Sequence, residues 1–219
     1  NEGQIWYNTT GAALKYTAVG AGTFSSGGAM NTGRDQVSCS VMASAAACLG
    51  AGGNSPVLLN KTEKYDGTSW TEVNNINTAR RNAGGCGTVN TAVVIAGGQA
   101  PSITGICELY NGTSWTEVNN LTTSRTGVSA GGAGSSTAGL LYGGGTPGVS
   151  AVNESWDGTS WTETTDLNVA KESMGCFGTQ TAAVAAGGYS TTYIGETEVW
   201  DGTSWTETNN LKTSRGWMP

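Results

Sequence analysis

The sequence predicts an all-β repeat protein built from four-stranded units about 45 residues long. Three observations carry that prediction. The string Asp-Gly-Thr-Ser-Trp-Thr-Glu, with Asn for Asp once, recurs so that its Trp stands at Trp70, Trp115, Trp161 and Trp205, spacings of 45, 46 and 44. A Gly-Gly pair keeps the same beat at Gly52-Gly53, Gly97-Gly98, Gly143-Gly144 and Gly187-Gly188. A basic residue falls ten positions after each Trp, at Arg80, Arg125, Lys171 and Arg215. Markers held in phase belong to repeat architectures, where each unit buries its apolar face against its neighbours.

Every unit reads in the same order. Small residues after the basic marker predict a short first strand. An apolar run ending in Gly-Gly, as at 92–98, predicts the second. A third ends in Glu-x-aromatic, with Glu63, Glu108, Glu154 and Glu198. A turn then leads into Ser-Trp-Thr-Glu, the fourth, with Glu72, Glu117, Glu163 and Glu207. No run carries a helical period. Asp-Gly between two short strands signals a hairpin, because the turn needs positive φ. Gly-Gly after a strand supplies positive φ or admits another backbone at close range. The repeating Trp gives each unit a large apolar face, at most about 4–6 kcal/mol for some 150–250 Å² buried at about 25 cal/mol per Å².

Composition narrows the function classes. Gly is 35 of 219 residues, about twice the usual share, and charged residues are 12%, about half of it. The formal charge is -6, and ten Lys plus Arg are thinly spread, with one adjacent pair at Arg80-Arg81. No basic stripe tracks phosphates, so neither nucleic acid nor an anionic membrane is an expected partner. No apolar run approaches the roughly 18 residues that span a bilayer, so membrane insertion is not expected. The absence of His removes the usual general base and every His-containing zinc site. Five Cys, at Cys39, Cys48, Cys86, Cys107 and Cys176, include no Cys-x-x-Cys pair. Cys39, Cys86 and Cys176 follow a basic residue by five or six positions and are expected as small buried residues at similar places on first strands. No cofactor, metal or catalytic residue is expected.

These markers together resemble the kelch family: a basic residue, an apolar strand ending in Gly-Gly, Glu-x-Tyr-Asp, then Trp. The resemblance runs from about residue 24 to 219 and implies a kelch-type β-propeller, four-stranded antiparallel blades set radially around a central channel. Its blades are expected near 34–70, 81–115, 125–161 and 171–205, with a partial unit from 215 and an N-terminal hairpin segment at 1–24. The wording Asp-Gly-Thr-Ser-Trp-Thr-Glu, with Gly-Thr-Gln-Thr-Ala-Ala at 178–183, is similar to repeats in tail-fibre and virion proteins of marine bacteriophages, cyanophages especially. The opening stretch 2–16 resembles a short hairpin module of phage tail and fibre proteins.

The termini predict a fifth, composite blade. Ile5-Trp6-Tyr7, Ala13-Leu14-Lys15-Tyr16 and Thr23-Phe24 match the second, third and fourth strands of a unit, and Arg215 begins an innermost one. Closure would hide the edges that an open stack exposes. The competing expectation is a section of a longer array.

The carboxylates recur in every unit, whereas an active site occurs once per ring, so structural or solvated roles are expected for them. Asp66, Asp157 and Asp201 are turn residues. Asp166 and Glu172 are the nearest thing to an extra acidic group, flanking an ordinary strand. Sequence variation concentrates instead in the loop after Gly-Gly. Function usually sits in loops held by a rigid scaffold. The candidate ligand-binding residues are therefore Gln99, Ser102, Thr104, Thr146, Tyr189, Thr191, Thr192 and Tyr193, with the tyrosines placed to stack on a sugar. The expected function is a non-catalytic virion surface or tail-fibre module that recognises a host-surface glycan. Its expected partners are other virion or tail subunits and further copies of itself. A spacer or decoration domain of the virion, a bacterial cell-surface adhesin and, last, a glycan-cleaving enzyme are the alternatives.

Overall fold

The computed structural model describes residues 5–8, 13–16, 28–39, 48–128 and 132–216, with backbone alone at 5–8, 13–16 and 39. No helix occurs among them. A first hairpin pairs β1 (Ile5–Asn8) with β2 (Ala13–Tyr16), antiparallel, with Ile5 opposite Tyr16. Four antiparallel four-stranded sheets follow. The first holds β3 (Ser38–Cys39), β4 (Cys48–Ala51), β5 (Thr62–Tyr65) and β6 (Trp70–Val73). The second holds β7 (Gly84–Val89), β8 (Ala92–Ala96), β9 (Cys107–Tyr110) and β10 (Trp115–Val118). The third holds β11 (Ala133–Gly134), β12 (Gly139–Tyr142), β13 (Asn153–Trp156) and β14 (Trp161–Glu163). The fourth holds β15 (Gly175–Thr179), β16 (Ala182–Tyr189), β17 (Tyr193–Trp200) and β18 (Trp205–Thr208). Strands run in chain order within each blade.

The hairpin between the third and fourth strands is a four-residue loop. In the last blade Trp200 pairs with Trp205, and the Asp201 carboxylate accepts the N–H groups of Thr203 and Ser204, both at 2.8 Å. Gly202 has φ +96°, so the turn requires both halves of Asp-Gly. Those N–H groups hold the Asp66, Asp157 and Asp201 carboxyls below their ordinary range.

Blades stack in series through three apolar clusters. Trp115 and Tyr110 pack with Leu49 and Ala51 of the first blade. Trp161 and Trp156 pack with Val94, Cys107 and Leu121 of the second, and the Trp161 indole donates to Cys107 Sγ at 3.3 Å. Trp205 and Trp200 pack with Leu140 and Tyr142 of the third, Tyr142 and Trp205 lying 4.8 Å apart. Trp115, Trp161 and Trp205 therefore each face the blade before them. The first strands neighbour one another in the order β3, β7, β11, β15. Close to them, Asn82 N donates to Gln36 O, Gly127 N to Asn82 O and Ser173 N to Gly127 O, a backbone chain linking all four blades. All four residues have φ between +52° and +57°.

Cys39 and Cys176 occupy equivalent places, opposite Gly50 and Ala185, each two residues before a Gly-Gly pair; Cys86 does not. Cys86 pairs with Val94 and packs forward against the third blade; Cys176 pairs with Ala185 and packs backward against it. One position of register separates them, which turns a strand residue to the opposite face. Cys86 is fully buried, Cys176 is half-buried, and the side chain of Cys39 lies outside the described residues. The fourth strand expected at Thr23-Phe24 falls within 17–27, outside the described residues, and the innermost strand expected from Arg215 runs into 217–219, also outside them.

Candidate ligand-binding face

The basic markers and the glutamates of the third strands form the frame of each blade. Arg34 pairs with Glu63, Arg80 with Glu108, Arg125 with Glu154 and Lys171 with Glu198, every side chain fully buried. Arg125 Nη2 lies 3.0 Å from Glu154, and Lys171 Nζ 2.9 Å from Glu198. Each carboxylate also accepts main-chain N–H groups of the segment leading into its blade, as Glu108 does from Asn77 and Thr78. The marker's own carbonyl reaches the preceding blade, accepting Gly53 N, Gly98 N, Gly144 N and Gly188 N at Arg80, Arg125, Lys171 and Arg215. A Cβ on Gly97 would stand 2.6 Å from Arg125 O, so the first glycine of the pair is needed for close approach as well as for its φ of +71°. Arg215 makes the main-chain contact, but among the described residues its guanidinium meets only Thr213 O. The fourth-strand glutamates are exposed.

These frames hold four loops of one design. The loops close with Leu59 N on Gly53 O, Thr104 N on Gly98 O, Ser150 N on Gly144 O and Ile194 opposite Gly188, a step of six positions each time (53 to 59, 98 to 104, 144 to 150, 188 to 194). Their tips turn through Ser55 N to Val57 O, Ala100 N to Ser102 O, Thr146 N to Gly148 O and Ser190 N to Thr192 O. At the base of each loop, the residue just after the basic marker pairs with the first loop residue: Asp35 with Asn54, Arg81 with Gln99, Thr126 with Gly145, Glu172 with Tyr189. Backbone geometry is constant; three loops share Pro56, Pro101 and Pro147 at the third position and Leu58, Ile103 and Val149 at the fifth, the last loop has Thr191 and Tyr193 there, and the first and fourth positions differ in every loop.

The sequence-derived candidates are distributed over three of these loops. Gln99 lies at the base of the second, where its Oε1 accepts Arg81 Nε and Nη2 at 3.2 and 3.0 Å. Ser102 stands exposed at the tip. The Thr104 hydroxyl accepts Ile106 N at 3.1 Å, and the Thr146 hydroxyl donates to Gly148 O, so both serve their own loops. Tyr189 and Tyr193 meet edge to face at 5.7 Å and remain 37% and 53% exposed, with Thr191 and Thr192 exposed between them. An open groove of about 540 Å³ lies between the first two loops, lined by Pro56, Val57, Leu58, Arg81, Gln99 and Pro101.

No protein-family model matches the chain, and no curated protein matches it.

The row Asp35, Arg81, Thr126 and Glu172 is what the sequence reading passed over. Its signal is present in the sequence: the position after an unvarying basic marker holds an acid, a base, a hydroxyl and an acid. Glu172 flanks no ordinary strand; it is a loop-face residue whose carboxyl is pushed above its ordinary range by burial. Asp166 is structural: its Oδ1 accepts Asn153 N, as the side chains of Asn75, Asn120 and Asn210 accept Thr62 N, Cys107 N and Thr197 N. Among the described residues no group of three or more Cys, Asp or Glu is arranged to hold a metal ion.

Proposed function

We propose that this chain is a non-catalytic recognition module, a kelch-type β-propeller on a virion surface or tail fibre that binds a host-surface glycan through its loop face. One observation carries the proposal: four loops of the same length and hydrogen bonding differ at the base, where Asn54, Gln99, Gly145 and Tyr189 stand, and at the tip, where Val57, Ser102, Gly148 and Thr192 stand. Unconstrained drift would vary length and backbone together. A constant backbone whose base and tip side chains change is how a rigid scaffold carries a changing specificity. The state of the carboxylates supports binding over catalysis, since the buried glutamates are committed to ion pairs and linker N–H groups. Several copies on one particle multiply weak contacts by avidity.

The loops themselves supply the test. Replacing 189–193 by the sequence of 145–149 keeps the loop backbone and removes both tyrosines. The exchanged protein is expected to keep its melting temperature while adsorption of the particle to its host falls at least about tenfold. Unchanged adsorption would sink the proposal. Purifying the particle that carries the chain and identifying its co-migrating proteins tests the setting: capsid and tail proteins in fixed ratio support a virion component, whereas envelope proteins without capsid place the module on a bacterial surface.

A second reading, a spacer domain that binds neighbouring subunits or further copies, is favoured by the outward face of the fourth blade. Phe177 and Val199 are 52% and 38% exposed there. On the second and third blades the equivalent face is covered by the next Trp.

A further inference from the structure

Of the four residues at the loop bases, Asp35 is exposed and Arg81 is satisfied by Gln99. Glu172 is neither. Its main chain is fixed to Tyr189 by hydrogen bonds of 2.9 and 2.8 Å. Its side chain lies over two glycines: a Cβ added to Gly127 or Gly145 would stand 2.9 or 2.7 Å from Oε2. Gly127 occupies the position of Gln36, Asn82 and Ser173 in the other blades, and Gly145 that of Asn54, Gln99 and Tyr189. Two side chains are thus missing at one place, and a half-buried carboxylate fills part of the opening. Among the described residues no donor reaches it. The Thr126 hydroxyl, one residue before Gly127, is buried and has no hydrogen-bond partner. Across the strand bridge stand Tyr189 and Tyr193 with exposed rings.

We propose that Glu172, Tyr189 and Tyr193 form a saccharide subsite between the third and fourth blades, an inference that rests on the recognition function proposed above. A sugar presents hydroxyls at its edge and C–H groups on its face. The carboxylate accepts two of those hydroxyls, and a tyrosine ring meets the C–H face. A carboxylate held without a partner costs stability in the empty protein and becomes useful when ligand donors arrive. Specificity belongs to this junction because Gly127 and Gly145 leave room beside a carboxylate.

The test uses the full chain, titrated with methyl glycosides of glucose, galactose, mannose and N-acetylglucosamine and followed by saturation-transfer NMR and calorimetry. Glu172→Gln removes the charge. Gly145→Ala, at a residue of ordinary φ, displaces only the flexible carboxylate end. Each is expected to weaken binding at least about tenfold, the loss of one charge-assisted hydrogen bond. The Glu117→Gln control, on an exposed outer strand, is expected to bind as the parent does. Burial raises the Glu172 carboxyl in the folded state, so its contribution to stability is present at low pH and is lost as pH rises through the raised value. Glu172→Gln escapes that loss, so at neutral pH it is expected to melt no lower than the parent, which separates lost binding from unfolding. If the parent binds and both variants bind equally well, the subsite is wrong and the recognition function stands. If the parent binds none of the glycosides, both fall.

Discussion

Glu108 and Glu117 stand opposite each other in the β9–β10 register, yet the chemistry of the two positions differs completely. Glu108 is fully buried against Arg80 and accepts the N–H groups that lead into its blade; Glu117 is exposed. Removing one member of a buried pair leaves a desolvated charge behind, which costs about 3–5 kcal/mol. Urea unfolding of Glu108→Gln is expected to show a loss of that size, and Glu117→Gln a change under about 0.5 kcal/mol. Equal effects would mean that the ion pair does not hold the blade. Two cysteines illustrate the same sensitivity to environment: burial pushes the Cys86 and Cys107 thiols up to about 12, so neither is a nucleophile at neutral pH. At this scale the sequence disclosed that the glutamates and basic residues recur, but not that they meet. Partners lie 27 to 29 positions apart, as in Lys171 with Glu198 and Arg125 with Glu154, and nothing local records that contact.

Strands and turns were the most legible elements. Asp-Gly-Thr-Ser marked each outer hairpin because its Asp accepts two N–H groups inside the loop and its Gly alone takes the positive φ, interactions closed within four residues. The direction in which each Trp packs was not legible, since it depends on which face of the blade meets which neighbour. Trp161 is 5% exposed against the second blade, while Trp70, with no described blade before it, is half-buried. Trp161→Ala is accordingly expected to cost about 3–5 kcal/mol. Trp70→Ala, with less area to lose, is expected to cost less than about half of that. Chemical denaturation of the two variants checks the comparison, and equal losses would mean that Trp70 is covered as fully as the others.

At the scale of the whole molecule, four blades follow one another with the same interface repeated three times, and the two outer faces differ. One presents the half-buried Tyr65 and Trp70, the other the exposed Phe177 and Val199. An apolar face of this kind on a repeat array invites another apolar surface. If the spacer reading holds, the sedimentation coefficient of the protein is expected to rise with concentration. The double variant Phe177→Ser, Val199→Lys is then expected to remain at the monomer value. A parent that stays monomeric throughout would remove the support for that reading.

The sequence by itself determined the all-β class, the period, the strand order within a blade and the position of the variable loops. All of these follow from turn residues, alternation and spacing, interactions that close within a few positions of the chain. Only the tertiary structure decided that the buried glutamates are clamped by the basic markers, that Cys86 and Cys176 face opposite ways, and that Glu172 sits over Gly127 and Gly145 across from Tyr189. Each of those facts is a meeting between segments distant in sequence. A repeat sequence states its unit many times over, but it leaves to packing which face of one unit touches the next.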